Sequence, residues 1–356
     1  MKCWTAPVAA AACAIGLVAT AGTAGAATDD PLRKDLWGLD QTHAEQAWST
    51  STGEGAVVAV VDTGVDLGHP DLQGQLVPGA DFVCGEQAGS CGDGGWKGKD
   101  GKGQESDSHG THVAGTVAAA AGNGTGVAGV APDAKVMPVK VLEDGQGTSE
   151  DIAEGIRYAA DHGADVVNLS LGGLPGTQIF TILGSDTAMK DAIQYASDKG
   201  TLTVAAAGNT STLLCNDPAF SSDSLCVGAT DRNELKSYFS ELPVQLGKLG
   251  IAAPGGSGRL LGGPCSDDIV STVPRGTGSG ECYGKDYDAY AGTSMATPHV
   301  AGVAALLAAQ GRDAGQIEDT LLTTARNPLT GVRGGLSAFY GRGIVDAKAA
   351  VATSAD

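Results

Sequence analysis

Three short stretches carry side chains that together can supply a nucleophile, a base and a carboxylate. Asp62 follows a run of β-branched residues, His109 lies in Ser-His-Gly-Thr, and Ser294 lies in Gly-Thr-Ser-Met. A serine hydroxyl becomes a strong nucleophile when a histidine takes its proton and a carboxylate orients that histidine. Each residue also has a plainer explanation: Asp62 as a turn former, His109 as a structural histidine and Ser294 as a helix N-cap.

A second histidine, His112, follows His109 by three residues, so a metal site is an alternative reading of this stretch. Zinc proteases of the His-Glu-x-x-His type carry a glutamate base between two histidines, but no carboxylate lies between His109 and His112. The sequence therefore predicts that His112 is a core residue.

Each reactive residue adjoins an element that can position it. Apolar runs predict buried strands at 56–61, 135–141, 165–169 and 201–205. Helical patterns lie at 149–162 and 189–199, each followed by glycine, and a third helix is predicted at 300–309, after Ser294. Strands that alternate with helices predict an α/β fold of three layers, in which helices cover both faces of a mostly parallel sheet.

The three stretches, in this order, resemble the signature motifs of the subtilisin-like serine peptidase family. The matching segments are Asp-Thr-Gly-Val-Asp from Asp62, His-Gly-Thr-His-Val-Ala-Gly-Thr from His109 and Gly-Thr-Ser-Met-Ala-Thr-Pro-His-Val-Ala-Gly around Ser294. The chain order Asp, His, Ser is that of subtilisin, whereas α/β-hydrolases have the order Ser, Asp, His. The resemblance, from about Trp37 to about Ala352, implies a subtilisin-like fold and a serine endopeptidase that works through an Asp62–His109–Ser294 triad and an acyl-enzyme intermediate.

The resemblance also implies roles for residues around the triad. Asn209, in Ala-Ala-Ala-Gly-Asn, matches the side chain that donates to the oxyanion. The matching edges that bind extended substrate contain Ser170, Leu171, Gly172, Ala207 and Gly208. No acidic residue is evident near the expected floor of the primary pocket, so an uncharged side chain before the scissile bond is expected.

The resemblance also implies a calcium site, although only part of its ligand set can be matched. Asp71 matches a ligand position of the family, and Asn123 lies in a Gly-rich loop that resembles the family's calcium loop. Oxygen ligands of this kind suit calcium. The matching N-terminal ligand is not identifiable from the sequence, and a plain turn is the alternative. No cofactor is expected for catalysis.

The chain has features of an exported protein. Lys2, an Ala-rich apolar stretch and a small-residue cleavage site predict a signal peptide at 1–27. A short segment, 28–36, then leads into a catalytic domain at 37–352, which leaves no room for a prodomain. No later segment has the length and apolarity of a membrane span. The net charge of −19 disfavours binding to nucleic acid or anionic membranes. We expect a secreted, extracellular monomer because of the signal peptide, and the resemblance implies that it acts on polypeptides.

Six cysteines remain after the signal peptide, an even number that suggests three disulfides in an exported protein. Six cysteines allow 15 pairings. None of them forms a Cys-x-x-Cys pair, which disfavours zinc. Sequential pairing within short loops is expected, and the pairs are Cys84–Cys91, Cys215–Cys226 and Cys265–Cys282. The last pair lies in an insert, 255–284, that is longer than the usual connection before the serine motif.

Two other classes of protein are less consistent with the sequence. A catalytically inactive binding protein on the same fold would normally have lost a triad residue, and all three are present. A lipase or esterase of the α/β-hydrolase type needs Gly-x-Ser-x-Gly, but Ala296 stands where the second glycine would be.

Overall fold

The computed structural model describes Met1 and residues 28–83, 108–143, 145–172, 187–259 and 262–354. The predicted signal peptide, apart from Met1, and the predicted Cys84–Cys91 disulfide lie outside the described residues. In the described ranges the strands are β1 (Val57–Asp62), β2 (Ala80–Asp81), β3 (Lys135–Lys140), β4 (Val166–Leu169), β5 (Leu202–Ala206), β6 (Leu225–Thr230), β7 (Ile251–Pro254), β8 (Ile269–Thr272) and β9 (Tyr287–Tyr290). The helices are α1 (Trp37–Gln41), α2 (Ala44–Ala47), α3 (His109–Ala118), α4 (Ser149–Asp161), α5 (Ala188–Asp198), α6 (Thr293–Ala308), α7 (Ala314–Thr324) and α8 (Ala347–Val351).

Seven strands form one parallel sheet in the order β2-β3-β1-β4-β5-β6-β7. The four strands predicted from apolar runs are β1, β3, β4 and β5, and each is confirmed to within one residue at either end. The chain places β3 on one side of β1 and β4 on the other, so the strand order reverses at β1. In open parallel sheets, functional sites form at the carboxyl ends of the strands where such a reversal occurs.

Both faces of the sheet are covered, as the continuous apolar runs predict. Along β1, Val58 and Val60 pack in one buried cluster, with residues of α3 and α6. Ala59 and Val61 pack in a second cluster, with residues of α4 and α5. Because side chains alternate along a strand, the two clusters lie on opposite faces, and the predicted three-layer fold is confirmed. Among the described helices, none is both long and apolar enough to cross a bilayer.

The ends of α4 and α5 follow the local sequence. The N-cap of α4 is Thr148: its hydroxyl accepts the N–H of Asp151, whose carboxylate in turn accepts the N–H of Thr148. After α4 and α5 the chain turns at Gly163 and Gly200, which both have positive φ.

Two of the three predicted disulfides are present in the described residues, Cys215–Cys226 and Cys265–Cys282. Cys226 lies on β6, and both Cys215 and Cys226 are fully buried in the cluster on the α4 side of the sheet. This disulfide therefore fixes the loop after β5 to the neighbouring strand β6. The other bridges the insert around the antiparallel pair of strands β8 and β9.

Removal of the buried disulfide should destabilise the protein. In the chain-entropy account, a bridge that closes a loop of this size contributes about 3 kcal/mol. We expect the Cys215→Ala, Cys226→Ala variant to lose about that much free energy of unfolding in urea denaturation without reductant. The comparison variant is Cys265→Ala, Cys282→Ala: its bridge has a sequence separation of 17 against 11, so the same account predicts a loss of similar size. An unchanged unfolding midpoint for the Cys215, Cys226 variant would show that the loop is held by other contacts.

Candidate active site

Asp62 is the last residue of β1, at the edge where the carboxyl ends of the strands meet. Its side chain is fully buried, and its Oδ1 accepts hydrogen bonds from Thr63 N–H and from Nδ1 of His109, both at 2.8 Å. Across the sheet, Lys140 of β3 pairs in register with Asp62. The Lys140 Nζ donates to the carbonyl oxygens of Thr63 at 2.7 Å and Leu142 at 2.8 Å. This lysine, which could not be identified from the sequence, ties the residue after Asp62 to the segment after β3.

His109 begins α3, and its imidazole is partly exposed. Because its Nδ1 faces the Asp62 carboxylate, Nδ1 carries the proton and donates, which leaves Nε2 as a proton acceptor. The next residue, Gly110, lies so close to the carbonyl oxygen of Gly64 that a Cβ would clash with it. Glycine at position 110 therefore lets the helix approach the turn after β1, so that the histidine reaches Asp62.

His112 is a core residue, as the sequence predicts. It is fully buried, its ring stacks on Tyr290 with centroids 4.6 Å apart, and its Nε2 lies 2.9 Å from the carbonyl oxygen of Ile269. Burial lowers the pKa of His112 to about 3. The ring is therefore neutral near pH 7, with Nε2–H donating to Ile269.

Ser294 is the second residue of α6, which begins at Thr293 and not near Val300 as predicted. The helix starts earlier because Pro298 is accommodated inside it. Proline has no N–H, so it offers no donor to the carbonyl oxygen of Ser294 four residues before it. That oxygen instead accepts a hydrogen bond from the Ser170 hydroxyl at 2.7 Å.

Asn209 follows β5 and is fixed by the start of α6. Its Oδ1 accepts the N–H of Thr293 at 2.8 Å and the Thr293 hydroxyl at 3.1 Å, which leaves Nδ2 as a donor. His109, Asn209 and Ser294 line one cleft of about 490 Å³. The structure thus brings a serine hydroxyl, a histidine held by a buried carboxylate and an amide donor to one place.

Two chain segments border this region from neighbouring strands. Ser170, Leu171 and Gly172 follow β4, and Ala207 and Gly208 follow β5, which pairs with β4. The first segment lines a further cleft of about 620 Å³ that also contains His109. Its apolar walls are Leu142, Ile152, Leu171 and Met189. The hydroxyl of Ser170 already binds Asn168 and Ser294, so it is a positioning group.

Two buried acidic side chains lie in and beside the loop after β5, and the expectation of an uncharged side chain before the scissile bond stays a prediction. Asp217 follows Asn216 directly and is 4% exposed, and Glu241 is fully buried beside Gly208. Sequence reasoning missed Glu241 because it lies on another segment, 33 residues beyond Gly208.

Asp71 and Asn123 lie together, as the sequence predicts, with Asn123 Nδ2 donating to Asp71 at 2.9 Å. The structure adds Asp30, which sequence reasoning did not identify: its carboxylate accepts the backbone N–H groups of 122, 123 and 124. Asp71 also accepts Val127 N–H and the hydroxyl of Tyr287, and burial raises its pKa. Two buried carboxylates therefore share one Gly-rich loop, and the groups that donate to them are uncharged.

Comparison with known proteins places the chain in a family. Residues 53–343 match the Subtilase family. Thermitase from Thermoactinomyces vulgaris is 40% identical over 316 residues, which cover 88% of this chain and 95% of thermitase. Subtilisin Savinase from Lederbergia lenta is 36% identical over 316 residues, with 88% and 97% covered. A solved protease from Pseudoalteromonas arctica matches with a TM-score of 0.73 and 34% identity, over 92% of this chain and 99% of that one. The chain therefore belongs to the subtilase family and is a subtilisin-like serine endopeptidase.

Proposed function

We propose that Asp62, His109 and Ser294 are the catalytic triad with which this protein hydrolyses peptide bonds of polypeptides. The observation that carries the proposal is the 2.8 Å contact between His109 Nδ1 and Asp62, with Ser294 lining the same cleft as the imidazole. That contact fixes the tautomer whose Nε2 can accept a proton from the serine.

The reaction follows from these positions. Ser294 Oγ attacks the carbonyl carbon of the substrate while its proton passes to His109 Nε2, and Asp62 stabilises the imidazolium. Asn209 Nδ2 and the N–H of Ser294 donate to the oxyanion that forms. The C–N bond then breaks, and the leaving amine takes the proton from Nε2. Water, activated by the same imidazole, hydrolyses the acyl-enzyme and restores the serine.

An extended polypeptide fits the two edges that follow β4 and β5. Backbone pairing with Ser170–Gly172 gives affinity that depends little on sequence. The backbone N–H and carbonyl groups of Ala207 and Gly208 are bonded within the fold, so this second edge borders the substrate without pairing with it. The side chain of Leu171 adds an apolar surface together with Leu142, Ile152 and Met189. The substrate therefore uses the backbone of Ser170, since its hydroxyl is already engaged.

We further propose secretion, with a signal peptide at 1–27 and a catalytic domain at 37–352. Two disulfides in the described residues support this location, because such bridges persist in oxidising compartments.

A structural calcium ion is also proposed. The carboxylates of Asp30 and Asp71 would hold it. Asn123 Nδ2 donates to Asp71 in the structure, so the side-chain amide would have to flip before Asn123 Oδ1 could bind the ion. Carboxylate and amide oxygens are ligands that calcium prefers. The ion would offset the charge of two buried carboxylates on one loop and so stabilise the fold. It takes no part in catalysis.

Ser294→Ala should remove peptidase activity and leave the fold intact. We expect casein hydrolysis to fall by at least about 10³-fold, because the variant lacks the nucleophile. A fluorophosphonate should label the parent protein at Ser294 and leave the variant unlabelled. Phenanthroline should leave activity unchanged, which separates this mechanism from that of a zinc protease. A Ser294→Ala protein that cleaves casein at near the parent rate would show that the mechanism is wrong.

Calcium removal should lower thermal stability. In a thermal unfolding scan we expect EDTA to lower the Tm of the parent protein by several degrees, because the carboxylates of Asp30 and Asp71 would lose their cation. Asp71→Asn should have a lower Tm that EDTA changes little. Asp133→Asn, at an exposed position, is the control and should respond to EDTA as the parent does. A parent Tm that is the same with EDTA and with added calcium contradicts the proposal.

A further inference from the structure

The cleft that contains Ser294 extends beyond the nucleophile to the insert. There it is lined by Asp268 of the insert and by Ala291, which comes three residues before Ser294. In the proposed function the residues before the scissile bond pair with Ser170–Gly172, which line a different cleft. The residues after the scissile bond, here called the leaving side, therefore enter the cleft of about 490 Å³ between Ser294 and the insert.

The side chain of Asp268 lies among the residues that line this cleft. Its Oδ1 accepts the N–H of Gly258 at 2.8 Å. A Cβ on Gly256 would lie 2.9 Å from the same oxygen and 3.0 Å from the Cβ of Ala291, so the carboxylate and Ala291 are close neighbours. The backbone carbonyl oxygen of Asp268 is used elsewhere, since it accepts the indole N–H of Trp37 at 3.2 Å. It is therefore the carboxylate of Asp268 that forms the wall between Gly258 and Ala291.

Among the described residues, Asp268 has no ion-pair partner. The donors to its carboxylate are backbone N–H groups and the Ser257 hydroxyl, which are all neutral. Of the cations of this region, Arg232 pairs with Asp267 at 2.9 Å, and Arg259 Nε donates to a backbone carbonyl oxygen. Asp268 is 3% exposed, and burial raises the pKa of its carboxyl. A recessed carboxylate of this kind favours a ligand that brings a positive charge.

The surroundings of Asp268 are also negatively charged. Burial and the charges of Asp35, Asp267 and Asp268 raise the pKa of Tyr283 to about 12, against the opposing charge of Arg232. The carboxylates around this tyrosine therefore outnumber the guanidinium. A cation that enters the cleft beside the insert meets an attractive potential.

We propose that Asp268 makes the protease favour lysine or arginine within the first two positions after the scissile bond. The methylene groups of such a side chain pack along Tyr290 and Ala291, and its cationic end reaches the carboxylate of Asp268. A neutral side chain brings no charge to the carboxylate, and a glutamate is repelled. This selectivity rests on the peptidase function proposed above and names its substrate class on the leaving side.

Acyl transfer tests the leaving side separately from the other subsites. An ester substrate acylates Ser294, and an added amino-acid amide then competes with water for the acyl group. The amine nitrogen bonds to the acyl carbon, the bond from that carbon to Ser294 Oγ breaks, and the amine proton passes through His109 to the serine oxygen. The ratio of peptide to acid formed depends neither on the acyl part nor on the concentration of active protein.

The probes are the amides of arginine, lysine, leucine, glutamate and citrulline, a neutral isostere of arginine. Each is used alone and after an N-terminal glycine, which places its side chain at the first or the second position. At one of these positions we expect arginine and lysine to give about 10-fold more transfer than leucine and citrulline, with glutamate the poorest. Equal transfer to arginine and citrulline at both positions would overturn the proposal and leave the peptidase function standing. A protein that neither hydrolyses the ester nor reacts with fluorophosphonate would instead overturn the proposed function.

Asp268→Asn tests which residue is responsible. Asparagine keeps an oxygen for the N–H groups of Ser257 and Gly258 but has no charge, so we expect the arginine-to-citrulline ratio to fall about 10-fold, with transfer to leucine amide nearly unchanged. Asp267→Asn is the matched control: it removes one charge from the adjacent residue, which pairs with Arg232 and is absent from the described lining of the cleft. A ratio that is unchanged in Asp268→Asn, or that falls equally in both variants, would overturn the role of Asp268. If Asp268→Asn does not fold, the comparison of arginine with citrulline in the parent protein decides the proposal.

Discussion

The hydrogen bond between His109 Nδ1 and the buried Asp62 carboxylate is the constraint on which the other features of the site depend. A carboxylate at that depth requires partners, and they come from elements far apart in sequence. The central strand β1 carries Asp62 to the edge of the sheet, and Lys140 holds the carbonyl oxygens next to it. Gly110 lets α3 approach closely enough for the imidazole to reach the carboxylate. The fold thus sets the tautomer of the histidine before any substrate binds.

A second constraint joins the nucleophile to the substrate-binding edge. Pro298 leaves the carbonyl oxygen of Ser294 without a helical donor, and the Ser170 hydroxyl takes that position at 2.7 Å. Thr293 similarly holds Asn209 through its N–H and hydroxyl. The first turn of α6 is therefore bonded to the segments after both β4 and β5. Movement of either edge would move the nucleophile and the oxyanion donor together.

Much of this arrangement could be predicted from the sequence, because buried parallel strands and the triad motifs are local patterns. The strands β1, β3, β4 and β5 and two disulfides were predicted in this way. The start of α6 was predicted too late, because proline usually marks a helix boundary. In this helix Pro298 removes one backbone hydrogen bond, and the Ser170 hydroxyl replaces it by donating to the carbonyl oxygen of Ser294. Asp30 and Glu241 were missed because their partners lie far away in sequence, at 122–124 and at 210–216. Only the folded chain brings these groups together.

The central claim is that Asp62, His109 and Ser294 act as one unit, and a double-mutant cycle tests it most directly. The measurement is kcat/KM for a peptide substrate in Asp62→Asn, in Ser294→Ala and in the variant with both changes. Asp62→Asn alone is expected to lower kcat/KM by about 10³- to 10⁴-fold, because the imidazole would adopt the wrong tautomer. In a protein that already carries Ser294→Ala, Asp62→Asn should lower kcat/KM by at most about a further threefold, since Asp62 acts only through the serine. If the two losses instead multiply, Asp62 contributes independently of Ser294, and the account of a single coupled triad is contradicted.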